Sequence, residues 1–290
     1  MKIALVTCQS MGDYNNNVES EDELLSRYLR EQKLEVSFAV WDDPEVDWQA
    51  FDVVVVKSPW DYFDKIAAFY AWLEQMEQRK VPLLNPAAVI RWNADKIYLR
   101  DVAEAGFLVV PSLWLNKGDG FEPRKLFGEW QTEKIIVKPR VSGGSKNTFA
   151  LNRQEAEERK AALDTLFSEE GYMVQPFLAE VPEKGEWSFV FFGGQFSHSV
   201  LKKAKSGDFR VQHYLGGTIY PTAAPPAHLL AQATRIARHY AAECLYARVD
   251  GIEVGDHLVL MELELIEPFL FLFTHEPALA SYHQALLQLA

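Results

Sequence analysis

Apolar and polar positions alternate along this chain in two rhythms, one of strands and one of helices. IALVTC (3–8) and VVVVKS (53–58) are short unbroken apolar runs, the kind that fill a parallel sheet covered on both faces. Between them Glu19 to Gln32 is charged, yet Leu24, Leu25, Tyr28 and Leu29 recur at helical spacing, and LEVSFAV (34–40) follows as another strand. A second amphipathic helix is expected from Phe63 to about Glu77, so residues 1–90 read as a small βαβ-type domain ending near VPLLNPAAVI.

The next stretch, WNADKIYLRDVAEAGFLVVPS (92–112), carries helix punctuation. Asn93 can cap a helix on which Tyr98, Val102 and Ala105 share a face, Gly106 can stop it, and Pro111 opens an extended segment. EKIIVKPRVSGGSKNTFAL reads as strand, glycine turn and strand, with a charged helix from Arg153 to Phe167 behind it. From YMVQPFL (172–178) onward the pattern is rich in β-structure: EWSFVFF and QFSHSVLKKA are joined by Gly193-Gly194, a good hairpin signal. A polar segment (205–218), a helix over 224–243 and two strands (245–254 and 257–266) hinged at Gly255-Asp256 come next. The last helix shows Leu279, Tyr282, His283, Leu286 and Leu287 as one stripe. Three units are expected: 1–90, 91–178 and 179–290.

Composition narrows the class. A chain of 290 residues with 48% hydrophobic and 24% charged residues can bury a sizeable core as a soluble protein. Its formal charge of −12 argues against a broad phosphate-binding surface, so nucleic acid is not expected as a partner. No stretch approaches the ~20 apolar residues that span a bilayer. The N-terminal MKIALVTCQSMG reads as a first buried strand rather than a signal segment. Cys8 and Cys244 lie far apart with no metal-type spacing, which suits a reduced, cytoplasmic protein.

Candidate chemistry begins with acids where a core strand should be apolar. In LVLMELELIEPFLF (258–271) Glu262 and Glu264 share a strand face, whereas Glu267 has the other parity and stands before Pro268. In LYARVDGIEV, Arg248 and Asp250 share a face of the preceding strand. Asp250, Glu262 and Glu264 converging from paired strands make a hard, oxygen-rich site suited to Mg²⁺; the bland alternative is the solvated face of an edge strand. Lys138 ends an apolar strand just before RVSGGSKNT, where a Gly-Gly turn lets backbone N–H groups approach phosphate, although a plain hairpin explains the same letters. Lys96 alone reads as solvated. Gln175, Phe177 and Leu178 form a strand edge able to read a base, with Glu180 and Glu186 behind it. Lys202, Lys203, Lys205 and Arg210 are a local excess of positive charge suited to phosphate or carboxylate. His198 and His213 read as locally bonded.

Taken in order, these segments resemble the ATP-grasp superfamily over essentially the whole chain. NADK…AGFLVVPS is similar to the family's lysine helix, IIVKPRVSGGS to its second lysine strand and glycine loop, and VQPFLAEVPEKGEWS to its adenine hinge. GDFRVQHYLGG and RVDGI…LVLMELELIEP resemble the arginine segment and metal strands of glutathione synthetases and ribosomal-protein glutamate ligases. The ELELIEP ending and the GEWS pair look most like the branch with the cycloserine-forming cyclo-ligase.

The resemblance implies an α/β (α+β) ATP-grasp fold behind an N-terminal parallel α/β domain. The implied activity is an ADP-forming ligase using ATP and Mg²⁺ (or Mn²⁺). Lys96 and Lys138 would then hold phosphates under Ser142, Gly143, Gly144 and Ser145. Gln175, Phe177 and Leu178 would meet adenine, and Glu180 or Glu186 the ribose. Arg210, with Lys202 beside it, would bind an acyl-phosphate or carboxylate, and Asp250, Glu262 and Glu264 would hold the metal. The expected substrate is a small amino-acid-like carboxylate, with an amine or internal nucleophile; a catalytically quiet nucleotide-binding module or an ATP-grasp kinase are the alternatives. Two positions depart from the pattern. Glu264 stands where relatives tend to have asparagine, and its added negative charge changes metal affinity or demands a nearby cation such as Arg248; Gln212 replaces the asparagine after the arginine.

Overall fold

The structure, a computed structural model, describes residues 1–10, 20–205, 216–222 and 224–290. Its first sheet is parallel. β1 (Lys2–Thr7), α1 (Glu21–Glu31), β2 (Glu35–Val40), β3 (Val53–Ser58), α2 (Ile66–Gln78) and β4 (Leu83–Leu84) give the strand order β2-β1-β3-β4. Every side chain of β3 is buried, as its unbroken apolar run requires of a strand covered on both faces. Ser20 starts α1 by accepting the Glu23 N–H at 3.3 Å.

Two short helices, α3 (Ala87–Asn93) and α4 (Tyr98–Glu104), replace the single expected helix. The chain breaks there because the Lys96 N–H donates to the Arg140 carbonyl (2.9 Å) instead of to a helical partner. Asp95, not Asn93, accepts the first free amide, that of Ile97 at 2.9 Å. Ala105 is exposed rather than sharing the buried face of Tyr98 and Val102.

The second sheet is antiparallel. β5 (Leu113–Leu115), α5 (Pro123–Glu129), β6 (Lys134–Pro139), β7 (Phe149–Asn152), α6 (Arg153–Glu158), α7 (Lys160–Phe167) and β8 (Tyr172–Pro176) give the order β5-β8-β6-β7. The expected 153–167 helix is offset at Arg159 (ψ 0°), which lets Ala156 and then Leu163 and Phe167 reach one core.

The third sheet holds β9 (Glu186–Phe192), β10 (Gln195–Lys203), β11 (Thr218–Thr222), β12 (Tyr246–Val254) and β13 (His257–Glu264). Its order is β11-β10-β9-β12-β13; α8 (Glu180–Lys184) precedes it and α9 (Ala227–Tyr240) packs on it. The terminal α10 (Ala278–Leu289) buries Ala278, Tyr282, Ala285 and Leu286. Leu287 is 53% exposed, so the buried stripe runs through the alanines rather than through Leu279, His283 and Leu287. Its core joins the first sheet (Ile3, Leu5, Val55) to the third (Val190, Phe192). Among the described residues no helix is long and apolar enough to cross a membrane.

Side chains close the free edge of β13. Asn93 Nδ2 donates to the Leu263 carbonyl at 2.7 Å while its Oδ1 accepts the Leu265 N–H at 3.0 Å. The Tyr98 hydroxyl bonds both the Leu263 carbonyl (3.0 Å) and its N–H (2.7 Å), and residues 108–110 cover Leu260. An edge strand whose backbone is sealed in this way cannot slip its register. Buried Asn85 does the same between sheets, donating to the Tyr246 and Leu265 carbonyls (2.9 and 2.8 Å) and accepting the Leu245 N–H (2.7 Å). Asn85→Ala leaves those backbone groups without partners and is expected to cost about 3 kcal/mol of unfolding free energy. A urea midpoint unchanged from the parent protein would contradict that role.

Candidate active site

Antiparallel registry lines up one face of the third sheet. Lys202 lies opposite Glu186, Ser188 opposite Asp250, Asp250 opposite Glu262, and Arg248 opposite Glu264. Residues two apart on a strand share a face, so the row continues along β9, β12 and β13. A register shift after Asp250 places Gly251 opposite Leu260, where a Cβ would stand 2.8 Å from both the Val259 carbonyl oxygen and Leu258 Cδ1. Only glycine fits there, and the fit sets which way the acids face.

Charges alternate along the row. Lys202 Nζ stands 2.5 Å from Glu186 and 3.0 Å from Asp250. Arg248 grips Asp250 through Nε (3.0 Å) and Nη2 (2.8 Å), pairs with Glu264, and donates Nη1 to the Phe269 carbonyl at 2.8 Å. The Ser188 hydroxyl donates to Asp250 at 2.7 Å. Glu264 thus has the cation that its extra charge demands.

Asp250 departs from the expected open metal ligand. Its side chain is 2% exposed, and both oxygens are taken by Arg248, Lys202 and Ser188. Glu262 and Glu264 are 31% and 27% exposed and keep carboxylate surface open to solvent. Among the described residues no group of three or more histidines, cysteines or acids is disposed around one metal position. Each acid of the row takes a cation because a buried unpaired carboxylate costs several kcal/mol. Two carboxylates with exposed oxygens, Glu262 and Glu264, are of the hard donor type that suits Mg²⁺, whereas the oxygens of Asp250 are committed to Arg248, Lys202 and Ser188.

The two expected phosphate lysines meet at the same face. Lys96 Nζ stands 3.1 Å from Glu262 and donates to the Ser142 carbonyl at 2.7 Å, bridging the metal strand and the glycine loop. Burial disfavours charge on both Glu262 and Lys138. For Glu262 the attraction of Lys96 and Lys138 wins and its carboxyl falls below the usual range; the Lys138 ammonium is lowered by the burial. Arg140, which sequence reasoning passed over, anchors the start of the loop. It grips Asp95 (3.0 and 2.6 Å) and Asn116 (3.0 Å). Its only signal in the sequence is its place between Lys138 and the glycines.

Other expectations shift. Gln175 is 3% exposed and spends its amide on Ser112 (3.0 Å), so its side chain points away from a base. The Phe177 N–H is committed to the Lys134 carbonyl (2.9 Å), and the Leu178 carbonyl accepts the Val181 N–H (3.2 Å). Glu180 opens α8. Glu186 faces Lys202 and the acid row instead of a ribose, because registry across the β9–β10 hairpin puts them side by side. Lys202 is likewise committed, to Glu186 and Asp250. Arg210 and Gln212 lie outside the described residues.

Glu267 belongs with the acids despite its parity. β13 ends at Glu264, so strict alternation stops there and the chain carries Glu267 back toward the cleft. Its carboxyl lies near Tyr62, and its carbonyl accepts the Trp60 indole N–H at 3.1 Å. Burial, reinforced by Glu264, pushes the Glu267 carboxyl up to about 8; burial also raises Glu264 to about 7, despite Arg248. A carboxyl protonated more readily in the folded state stabilises the fold at low pH and loses that contribution as pH rises through its folded value. The ligand-free protein is therefore expected to melt progressively lower from pH 6 to about 8.5, a slope that Glu267→Gln reduces. A melting temperature flat or rising over that window would contradict this arrangement.

Comparison with known proteins shows what the chain is similar to. Residues 3–85 match the family model described as the N-terminal domain of D-cycloserine synthetase DcsG. The chain is 29% identical over 261 residues to the cycloserine biosynthesis protein DcsG of Streptomyces lavendulae, covering 85% of this chain and 86% of that one. It superposes on the crystal structure of D-cycloserine synthetase DcsG with a TM-score of 0.82 and 26% identity, covering 99% of each chain. The ATP-grasp ligase PsnB, solved with a phosphomimetic variant of its minimal precursor, Mg and ADP, shares the fold (TM-score 0.67, 15% identity, 99% and 98% covered).

Proposed function

The chain belongs to the ATP-grasp superfamily and is an ATP-grasp ligase, and from this we propose that it activates a small amino-acid-like carboxylate as an acyl-phosphate, releasing ADP and phosphate. The observation that carries the reading is Lys96, whose one ammonium joins the acid of the metal strand to the backbone of the glycine loop. That contact supports the reading, because it joins the groups proposed for phosphate to one of those proposed for the metal.

Lys96 and Lys138 would hold the β- and γ-phosphates of ATP, with the backbone of 142–145 laid over them. The Phe177 carbonyl and the Leu178 N–H would meet adenine, and Glu180 the ribose. Glu262 and Glu264 would hold Mg²⁺, which when bound neutralises phosphate charge. Arg210 is our candidate for the substrate carboxylate or its acyl-phosphate. Lys202 and Asp250 act from beneath, keeping Arg248 and Glu264 in place. The protein's share is positioning and charge neutralisation rather than covalent catalysis.

The nucleophile is an amine or a group within the same molecule. The similarity to DcsG supports the second, a cyclo-ligase. An ADP-release screen over amino acids, ureido acids and dipeptides tests the reading. ADP and phosphate should form only with the right carboxylate; a stable phosphorylated product would indicate a kinase, and no ADP with any candidate would contradict turnover.

A further inference from the structure

The glycine loop rests on the N-terminal domain. The Phe63 ring lies so close to Gly143 that a Cβ there would stand 2.5 Å from Cε1 and 2.9 Å from Cδ1. Gly144 needs its glycine for a φ of 57°, but Gly143 does not; at Gly143 the missing side chain serves the approach of the ring. Three residues on, Lys146 places its ammonium 5.9 Å from the Phe63 ring centroid and pairs with the Asp64 carboxylate. Between these contacts the loop closes on itself, Lys146 N–H to Gly143 (3.1 Å) and Thr148 N–H to Ser145 (3.2 Å). At its other end Lys96 and Arg140 tie it to the cleft.

Phe63 and Asp64 sit in one short 3-10 turn, Tyr62–Lys65, whose tyrosine lies near Glu267. The turn therefore touches the loop through Phe63 and Asp64. Both residues contact the loop, and what they can control is where it lies.

We propose that Phe63 and Asp64 are positioning residues that seat Gly143 and Lys146, so that the phosphate-covering loop closes as a joint act of its own sheet and the N-terminal domain. This rests on reading 142–145 as the loop over the phosphates. A loop that loses this seat binds nucleotide less tightly and admits water to the activated carboxylate. The acyl–phosphate bond then hydrolyses to the starting carboxylate and phosphate, and ADP forms without product.

Hydrogen exchange of the 142–148 segment in the ligand-free full chain reads the seat directly. Exchange should quicken about threefold in Asp64→Asn, as for a half-exposed ion pair, and about tenfold in Phe63→Ala, where the ring contact goes. Asp64→Lys should open the loop, and adding Lys146→Asp should recover most of the protection. In turnover, Asp64→Asn should raise KM for ATP with kcat within about twofold, and ADP formed per product should exceed one. Unchanged exchange in both single variants, or a charge-swapped pair no better protected than Asp64→Lys, would overturn the proposal. Melting of the wild-type chain with and without Mg²⁺–ATP separates the two claims. No rise on adding Mg²⁺–ATP refutes the nucleotide reading, while the exchange result still decides the seat.

Discussion

Glu262→Gln is expected to lower turnover about a thousandfold while leaving the fold intact. The substitution keeps size and shape and removes one negative charge. That charge has two tasks: it pairs with Lys96 at 3.1 Å, and it faces the cleft beside Glu264. Losing the first is mild, because Glu262 is 31% exposed and a partly solvated pair contributes at most about 1 kcal/mol. Losing the second removes an oxygen donor that a magnesium ion between phosphates cannot replace with a neutral amide of equal strength. Melting temperature should hardly move, and steady-state rates should collapse. If the variant turned over at the wild-type rate, the metal assignment would be wrong.

Arg248→Leu should show the opposite balance, with stability lost first. The guanidinium holds Asp250 by two nitrogens, pairs with Glu264, and fills the Phe269 carbonyl. Burial opposes ionisation of Asp250, and Arg248 and Lys202 overcome it, holding that carboxyl well below its usual range. With leucine in place, Lys202 remains on Asp250 but Glu264 has no counter-charge, and a loss of about 3–5 kcal/mol is expected at pH 7.5. The sign with pH is definite. Without Arg248 both acids take up protons more readily in the folded state, so the deficit should shrink as pH falls from 7.5 to 5.5. Urea midpoints at the two pH values decide it. A loss below about 1 kcal/mol at pH 7.5, or one that grows on acidification, would contradict the ion ladder.

Local rules reached the parts of this site that lie within single elements. Strand alternation placed Glu262 with Glu264 and Arg248 with Asp250, and tertiary structure kept them so. The parallel first sheet was legible for the same reason: VVVVKS has no polar face to present to water. What alternation could not reach was Glu267, because its rule ends where β13 ends and the return of the chain depends on Trp60 and Tyr62, some 200 residues earlier. Asn93 shows a different limit. An asparagine before a charged, helical run carries the letters of a cap, but the groups it satisfies are the backbone of Leu263 and Leu265. Its use for a strand edge is invisible until that edge is beside it.

Glu186 and Gln175 have partners that local rules do not show. Glu186 is the first residue of β9, and only hairpin register shows that Lys202 is opposite it. Gln175 alternates inward, to Ser112, because β8 lies between β5 and β6. Asp250 was read as an open ligand because charge pairing within a strand, two residues from Arg248, competes with any metal for the same oxygens. In each case the residue type was informative and the competing partner was not.

The central claim is that a substrate carboxylate attacks the γ-phosphate of ATP within this cleft. Its most direct test is oxygen transfer: a responding substrate labelled with ¹⁸O in its carboxylate is turned over with Mg²⁺–ATP, and the released phosphate is weighed by mass spectrometry. One labelled oxygen in the phosphate, with ADP formed in step with product, is the predicted result. Unlabelled phosphate, or AMP in place of ADP, would contradict it.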